Sequence, residues 1–196
     1  MSKQGMAVLV IVAGLVLGAA ALVKFGPTIE GVEINKRAPD FQAVTLAGDS
    51  VRLHEKYKGQ VTLVNIWATW CIPCRTEMPA MEELFRELGP RGFRIVAVSV
   101  DEADRGDVEA FAREYGLTFD VLHDQSGKIQ QIYQTTGVPE SFLLDKDGVI
   151  VKKVIGEHPW SSPANKRIIA ELMGIEPDPD GGPAPAAVTA SGRAGG

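Results

Sequence analysis

Cysteine and histidine are scarce in this chain: 196 residues hold two cysteines and three histidines. A structural zinc site takes four ligands, and no second cysteine pair or neighbouring histidine stands ready to complete one. Positive charge is also in short supply. Twenty Lys and Arg against 25 Asp and Glu give a formal net charge of −5, which leaves no basic surface of the kind nucleic acid demands. No internal repeat divides the chain. Its length suits one domain of about 130–150 residues with a proper core, plus an appendage at each end.

The first appendage, residues 1–24, is read as an N-terminal transmembrane anchor or signal segment. Met6 to Val23 is an unbroken apolar and glycine stretch, close to the ~20 residues that cross a bilayer as a helix. Ala19-Ala20-Ala21 offers a small-residue cleavage site. The apolar run outlasts a typical signal core, however, and an uncleaved anchor is the preferred reading. Lys3 before the run places the terminus in the cytoplasm by the positive-inside rule. Both readings export the rest of the chain. No cysteine follows the segment, which excludes a lipid-anchored lipoprotein. Residues 25–37 read as a linker and 38–174 as the folded domain. Residues 175–196, rich in Pro, Gly and Ala, bury too little apolar surface to offset ordering and read as a disordered tail.

Within the domain, apolar residues from Phe41 to Leu53 flank the turn signal Ala47-Gly48-Asp49-Ser50 and predict a β-hairpin. Val61 to Trp67 is a β-branched run expected as a strand buried on both faces. Met78, Met81, Leu84 or Phe85, and Leu88 recur at helical spacing until Gly89-Pro90 ends the helix. Phe93–Val100 predicts a second buried strand, and Val108, Phe111, Ala112 and Tyr115 an amphipathic helix stopped by Gly116. Phe119–Leu122 reads as a short strand and Ser126–Gln134 as a helix. Phe142–Asp145 and Val149–Ile155 form a hairpin about Lys146-Asp147-Gly148, and Ser162–Met173 is a closing helix. Strand, helix, strand, helix argues for a parallel α/β sheet with right-handed crossovers, to which the last hairpin adds antiparallel pairing.

Both cysteines lie in Trp70-Cys71-Ile72-Pro73-Cys74, where a central strand hands over to a helix. Disulfide exchange needs a thiolate, so a working cysteine must have its pKa lowered from about 8.5. The first helical turn offers unsatisfied N–H groups and the positive end of the dipole to Cys71. Cys74 lies on the same face but deeper, as suits a resolving thiol. Pro73 is tolerated in a first turn, which has no acceptor for its missing N–H. Covalent haem attachment is excluded because Arg75 stands where histidine is required. An inert structural bridge is disfavoured, because so small a loop removes little unfolded-state entropy.

Trp67-Ala68-Thr69-Trp70-Cys71-Ile72-Pro73-Cys74 after a buried strand, with Gly137-Val138-Pro139 before a later one, resembles the thioredoxin superfamily. Arg75-Thr76-Glu77-Met78-Pro79, and the extra segment between the second strand and the proline loop, resemble its membrane-anchored TlpA/ResA/CcmG-like branch. The resemblance implies a thioredoxin-like fold: a central mixed β-sheet flanked by helices, with an N-terminal β-hairpin and a central insertion, preceded by one transmembrane helix. It makes Cys71 the nucleophile, Cys74 the resolving thiol and Val138-Pro139 a cis peptide bond opposite the disulfide. It gives Glu77 a part in thiol titration, and Trp70, Ile72, Pro73, Val138, Pro139 and Glu140 the substrate-binding surface. Asn65 departs from ordinary thioredoxins, which carry a buried aspartate there, so proton handling passes to Glu77, Glu140 or water. Pro79 removes an N–H bond to the Arg75 carbonyl and predicts a kink. Trp160 is read as packing, and His54, His123 and His158 as isolated surface or core residues.

The expected function is an exported, membrane-tethered thiol–disulfide oxidoreductase that reduces partner-protein disulfides, with no cofactor or metal beyond the Cys71–Cys74 disulfide. It is expected in the cell membrane, single-pass, with its catalytic domain on the periplasmic side. The resemblance suggests apocytochrome c before haem attachment as substrate and a membrane electron donor. The alternative is an assembly factor that reduces the cysteines of a copper protein or copper chaperone. A peroxidase of the peroxiredoxin kind is disfavoured, because no Pro-x-x-x-Thr/Ser-x-x-Cys pattern precedes Cys71.

Overall fold

The structure is a computed structural model and describes residues 3–25 and 32–176. It divides into two compact units, residues 1–31 and 32–196. In the first, Lys3–Phe25 form helix α1. The expected membrane span falls on this helix, and several of its positions (7–10, 19, 22 and 23) lie outside the described side chains. Among the described residues, no helix is long and apolar enough to cross a membrane. The expected tail also lies outside the described residues from position 177 onward.

The second unit is built on one seven-stranded sheet. Its strands are β1 (Gln42–Thr45), β2 (Ser50–Arg52), β3 (Thr62–Trp67), β4 (Arg94–Ser99), β5 (Asp120–His123), β6 (Glu140–Leu144) and β7 (Ile150–Ile155), in spatial order β2-β1-β5-β4-β3-β6-β7. Every residue of β3 is buried, as its β-branched run predicts for a strand covered on both faces. It pairs parallel with β4 and antiparallel with β6. The mixed, thioredoxin-like sheet is therefore present. The predicted N-terminal hairpin is present too, and β1 joins the same sheet through antiparallel pairing with β5. Sequence patterns did not announce that long-range pairing.

Helices α2 (Leu53–Lys56), α3 (Ile72–Leu88), α4 (Arg105–Glu114), α5 (Lys128–Ile132) and α6 (Pro163–Met173) complete the unit. The path β3–α3–β4–α4–β5 advances through parallel neighbours, and right-handed crossovers set α3 and α4 on one face. Trp67 packs on Phe111 of α4 with ring centroids 4.7 Å apart. Helix α6 shares that face, since Lys166 forms ion pairs with Glu83 and Glu87 of α3. On the opposite face, Tyr133 after α5 packs against Phe142 and Phe41.

Three boundaries differ from expectation. The helix expected over Ser126–Gln134 shortens to Lys128–Ile132, because Gly127 turns at φ 65° and the Asp124 carboxylate draws Ser126 and Ile129 into a turn before it. Strand β6 opens at Glu140, two residues earlier than read. Residues 32–37, assigned to a linker, are docked: Asn35 N–H donates to Ile150 O and Ile150 N–H to Lys36 O, at 2.8 and 2.9 Å, and Val32 is buried.

Candidate active site

The dithiol stands at the junction of β3 and α3, and the turn between them is held from below. Buried Asp101 accepts from Thr69 N–H at 2.9 Å, Thr69 Oγ1–H at 2.6 Å and Ser99 Oγ–H at 2.6 Å. His123 Nε2 lies 2.8 Å from the Asp101 carbonyl. This histidine, expected to be isolated, therefore belongs to the frame under the turn. No motif marks Asp101, because its partners are set by the parallel β3–β4 register that aligns Trp67 with Ser99.

Cys71 caps the N-terminus of α3, its sulfur accepting from Cys74 N–H at 3.2 Å, with Pro73 in the first turn. The two cysteines form a disulfide, S–S 2.09 Å, with Cα atoms 5.3 Å apart. Cys74 is fully buried and Cys71 is 4% exposed. Around Cys71 the surface is apolar, with Trp70 68% and Ile72 76% exposed and Pro73 also exposed. Trp70 projects into solvent beside the disulfide. The Val138-Pro139 bond is cis, Pro139 is buried, and Val138 O lies 3.5 Å from Cys71 Sγ. The proline loop thus faces the disulfide as the resemblance implied.

One turn beyond Cys74, Glu77 is 1% exposed. Asn65 Nδ2 donates to its Oε1 at 2.8 Å and to Ser141 Oγ at 2.9 Å, and His158 N–H donates to its Oε2 at 3.3 Å. Burial pushes the Glu77 carboxyl up to about 7. The donors from Asn65 and His158 restrain that rise, Glu157 adds to it by repulsion, and Trp160 is within electrostatic reach of the carboxylate though its Nε1–H closes no hydrogen bond. Asn65, noted as a departure, is thus the direct partner of Glu77. A carboxyl poised near neutrality can take a proton from a thiol and return it.

Glu140 belongs elsewhere. It pairs in register with Ile66, whereas Ser141 pairs with Asn65, so its side chain points to the opposite sheet face from Glu77. There it makes an ion pair with Lys153 at 2.9 Å and accepts from Thr136 N–H at 3.3 Å. Its expected share in proton handling at the dithiol is corrected by this placement. Helix α3 runs on through Pro79 as one element. His54, the third histidine, bonds Ala38 O at 2.9 Å, away from the dithiol.

Sequence reading missed Ser141, His158 and Asn165. The His158 ring lies 3.0 Å from Lys152 Nζ and from Asn165 Nδ2 and packs edge-on to Trp160 at 4.7 Å. Among the described residues there is no group of three or more His, Cys, Asp or Glu that could hold a metal ion. The reactive unit is the disulfide itself, with the Cys74 sulfur buried, the Cys71 sulfur capping α3, an apolar rim and a carboxyl with a near-neutral pKa.

Known proteins are similar to this chain in sequence and fold. The AhpC/TSA family model matches residues 34–153, a span that contains strands β1 to β6, most of β7, the dithiol and the proline loop. A thiol-disulfide oxidoreductase ResA of Bacillus thuringiensis is 40% identical over 128 residues, 65% of this chain and 73% of that one. The thioredoxin-like protein YneN of Bacillus subtilis is 43% identical over 122 residues, 61% of this chain and 70% of its own. Among solved structures, a Chlorobium tepidum protein assigned as the thiol:disulfide interchange protein DsbE superposes with a TM-score of 0.66 at 31% identity, covering 72% of this chain and 99% of that one. That family model spans well over half of the chain, and the chain belongs to the AhpC/TSA family, as a thiol–disulfide oxidoreductase with a thioredoxin-like fold.

Proposed function

We propose that the protein works in the reducing direction, on disulfides of partner proteins outside the cytoplasm, while tethered to the membrane by residues 1–24. The observation that carries the direction is the Val138 carbonyl, 3.5 Å from Cys71 Sγ. In the reduced protein a lone pair at that position accepts from the thiol S–H and repels a thiolate, opposing the helix N-terminus. Among the described residues no cationic side chain hydrogen-bonds either sulfur. A reduced form that is little stabilised as thiolate gives up its electrons readily, whereas oxidants of this class owe their potential to a stabilised reduced form.

The proposed cycle starts at Cys71. Cys71, as thiolate, attacks a partner disulfide, forming a Cys71–partner bond and releasing one partner thiolate. Cys74 then attacks Cys71 Sγ, its proton passing to the Glu77 carboxylate, and the second partner thiolate leaves. The partner gains two electrons and the protein is left with the Cys71–Cys74 disulfide. A membrane donor of two electrons restores the dithiol. Trp70, Ile72 and Pro73 supply the apolar surface on which an extended partner segment rests.

Supporting the location are the apolar stretch Met6–Val23 and Lys3 before it. The partner we favour is apocytochrome c before haem attachment, whose two cysteines must be reduced; the other reading is a copper protein or copper chaperone. Redox equilibration with glutathione tests the direction. The expected potential lies well below the ~−180 mV of protein disulfide isomerase, and a value near the ~−120 mV of a strong oxidant would reject it. A Cys74→Ser variant holds the mixed disulfide at Cys71 in cells, and mass spectrometry of the captured species separates apocytochrome from copper protein.

A further inference from the structure

The segment between β7 and α6, Gly156–Trp160, reaches both halves of the site. Gly156 N–H donates to Pro139 O at 2.8 Å, and His158 N–H donates to Glu77 Oε2 at 3.3 Å. Trp160 at its end is fully buried. The segment is therefore a strap laid from the proline loop to the carboxyl, covering Glu77 on the side that α3 and the sheet leave open.

The side chain of His158 fastens the strap. Its Nε2 accepts from Lys152 Nζ on β7 and from Asn165 Nδ2 on α6, each at 3.0 Å. Asn165, 4% exposed, also donates to Pro159 O at 2.8 Å and takes Lys152 Nζ on its Oδ1 at 2.8 Å. The ring packs against Trp160. Three elements thus converge on one imidazole whose own backbone N–H serves the carboxyl. Burial lowers the His158 pKa and Lys152 lowers it further, against the Asn165 bond, so the ring is the neutral acceptor this arrangement needs.

We propose that His158 is a positioning residue of the dithiol chemistry: its ring, anchored by Lys152 and Asn165, holds the 156–160 strap closed over Glu77 and against Pro139, and so sets the proton affinity of the carboxyl that serves Cys74. The assignment of Glu77 as proton acceptor is the reading given above, and the inference rests on it for its functional meaning. The groups that face Glu77 are Asn65 from β3, and Glu157, His158 N–H and Trp160 from the strap. Those that face the His158 ring are Lys152, Asn165 and Trp160. Opening the strap admits water to Glu77 and removes one donor. These act in opposite directions, and desolvation is the largest influence on this carboxyl, so water access wins and the midpoint falls.

The test is the titration of the Glu77 side-chain carboxyl by 13C NMR in the oxidised full-length protein, the resonance being assigned by its loss in Glu77→Gln. His158→Ala is expected to lower the midpoint by about one unit or more, and His158→Gln, whose amide oxygen can accept from Lys152, to keep it near the parent value. Lys152→Met, which removes one anchor and leaves the ring, is expected to lower it by a smaller amount, and serves if His158→Ala does not fold. An unmoved midpoint in folded His158→Ala or Lys152→Met overturns the proposal, as does an equal fall in His158→Gln. The pH profile of disulfide reduction is read in the same variants, and its acid limb is expected to move with the midpoint. If Glu77→Gln leaves that profile unchanged while the His158 variants still shift the Glu77 midpoint, the strap stands and the proton-acceptor role of Glu77 falls.

Discussion

Glu77 is a carboxyl whose burial outweighs the donors that favour its ionised form. Folded, it holds its proton up to about pH 7, against an ordinary value of 4.5, so the native state binds more protons than the unfolded chain between those values. By linkage, stability is greatest below the unfolded pKa and falls as pH rises through the folded one. Glu77→Gln removes that dependence. Urea unfolding of the oxidised protein should show the variant gaining on the parent between pH 5 and pH 8, by an amount on the order of 3 kcal/mol for a fully buried group. The same variant should slow the resolving attack by Cys74, read as accumulation of mixed disulfide in stopped-flow exchange. Asn65 acts on the other side of the balance. It donates to the ionised form at 2.8 Å, so Asn65→Leu should raise the Glu77 midpoint above its parent value, measured by the carboxyl resonance.

At the scale of elements, the strand–turn–helix that presents Cys71 depends on a residue with no redox role. Asp101 is 2% exposed and gathers Thr69 and Ser99. Asp101→Ala leaves these donors buried without an acceptor, at roughly 2–4 kcal/mol in stability, and frees the turn that orients Trp70. Thermal unfolding should show the loss, and KM for a protein disulfide should rise more than kcat falls. The elements themselves were legible in the residues. The buried run of β3, the spacing of Met78, Met81, Leu84 and Leu88, and the Lys146-Asp147-Gly148 turn are local patterns, as is the Cys71–Cys74 pair. The environment of the site was less legible because it is assembled across the sheet. Ser141 reaches Asn65 only through the antiparallel β3–β6 register, and His158 reaches Glu77 across 81 positions of sequence. A period of two or 3.6 residues carries no information about either. Glu140 illustrates the reverse case, since a shift of one position in that register decides which face of the sheet a carboxylate occupies.

The whole molecule has two units, and the second, from residue 32 onward, contains every group of the proposed chemistry. Removing residues 1–31 should leave insulin-disulfide reduction by the purified protein within about twofold of the full chain, while cell fractionation should move it from the membrane to the soluble cytoplasmic fraction, since the same segment directs export. Retention in the membrane after that deletion would reject the tether. The placement of β3 between β4 and β6, with every residue buried, has a further consequence for motion. Amides of a central, doubly paired strand exchange with deuterium only on global opening, whereas edge strands and exposed turns exchange by local fraying. The dithiol turn follows directly on this strand, so in a deuterium-exchange time course the β3 amides are expected to be the last to exchange, and the amides at exposed Trp70 and Ile72 to exchange early.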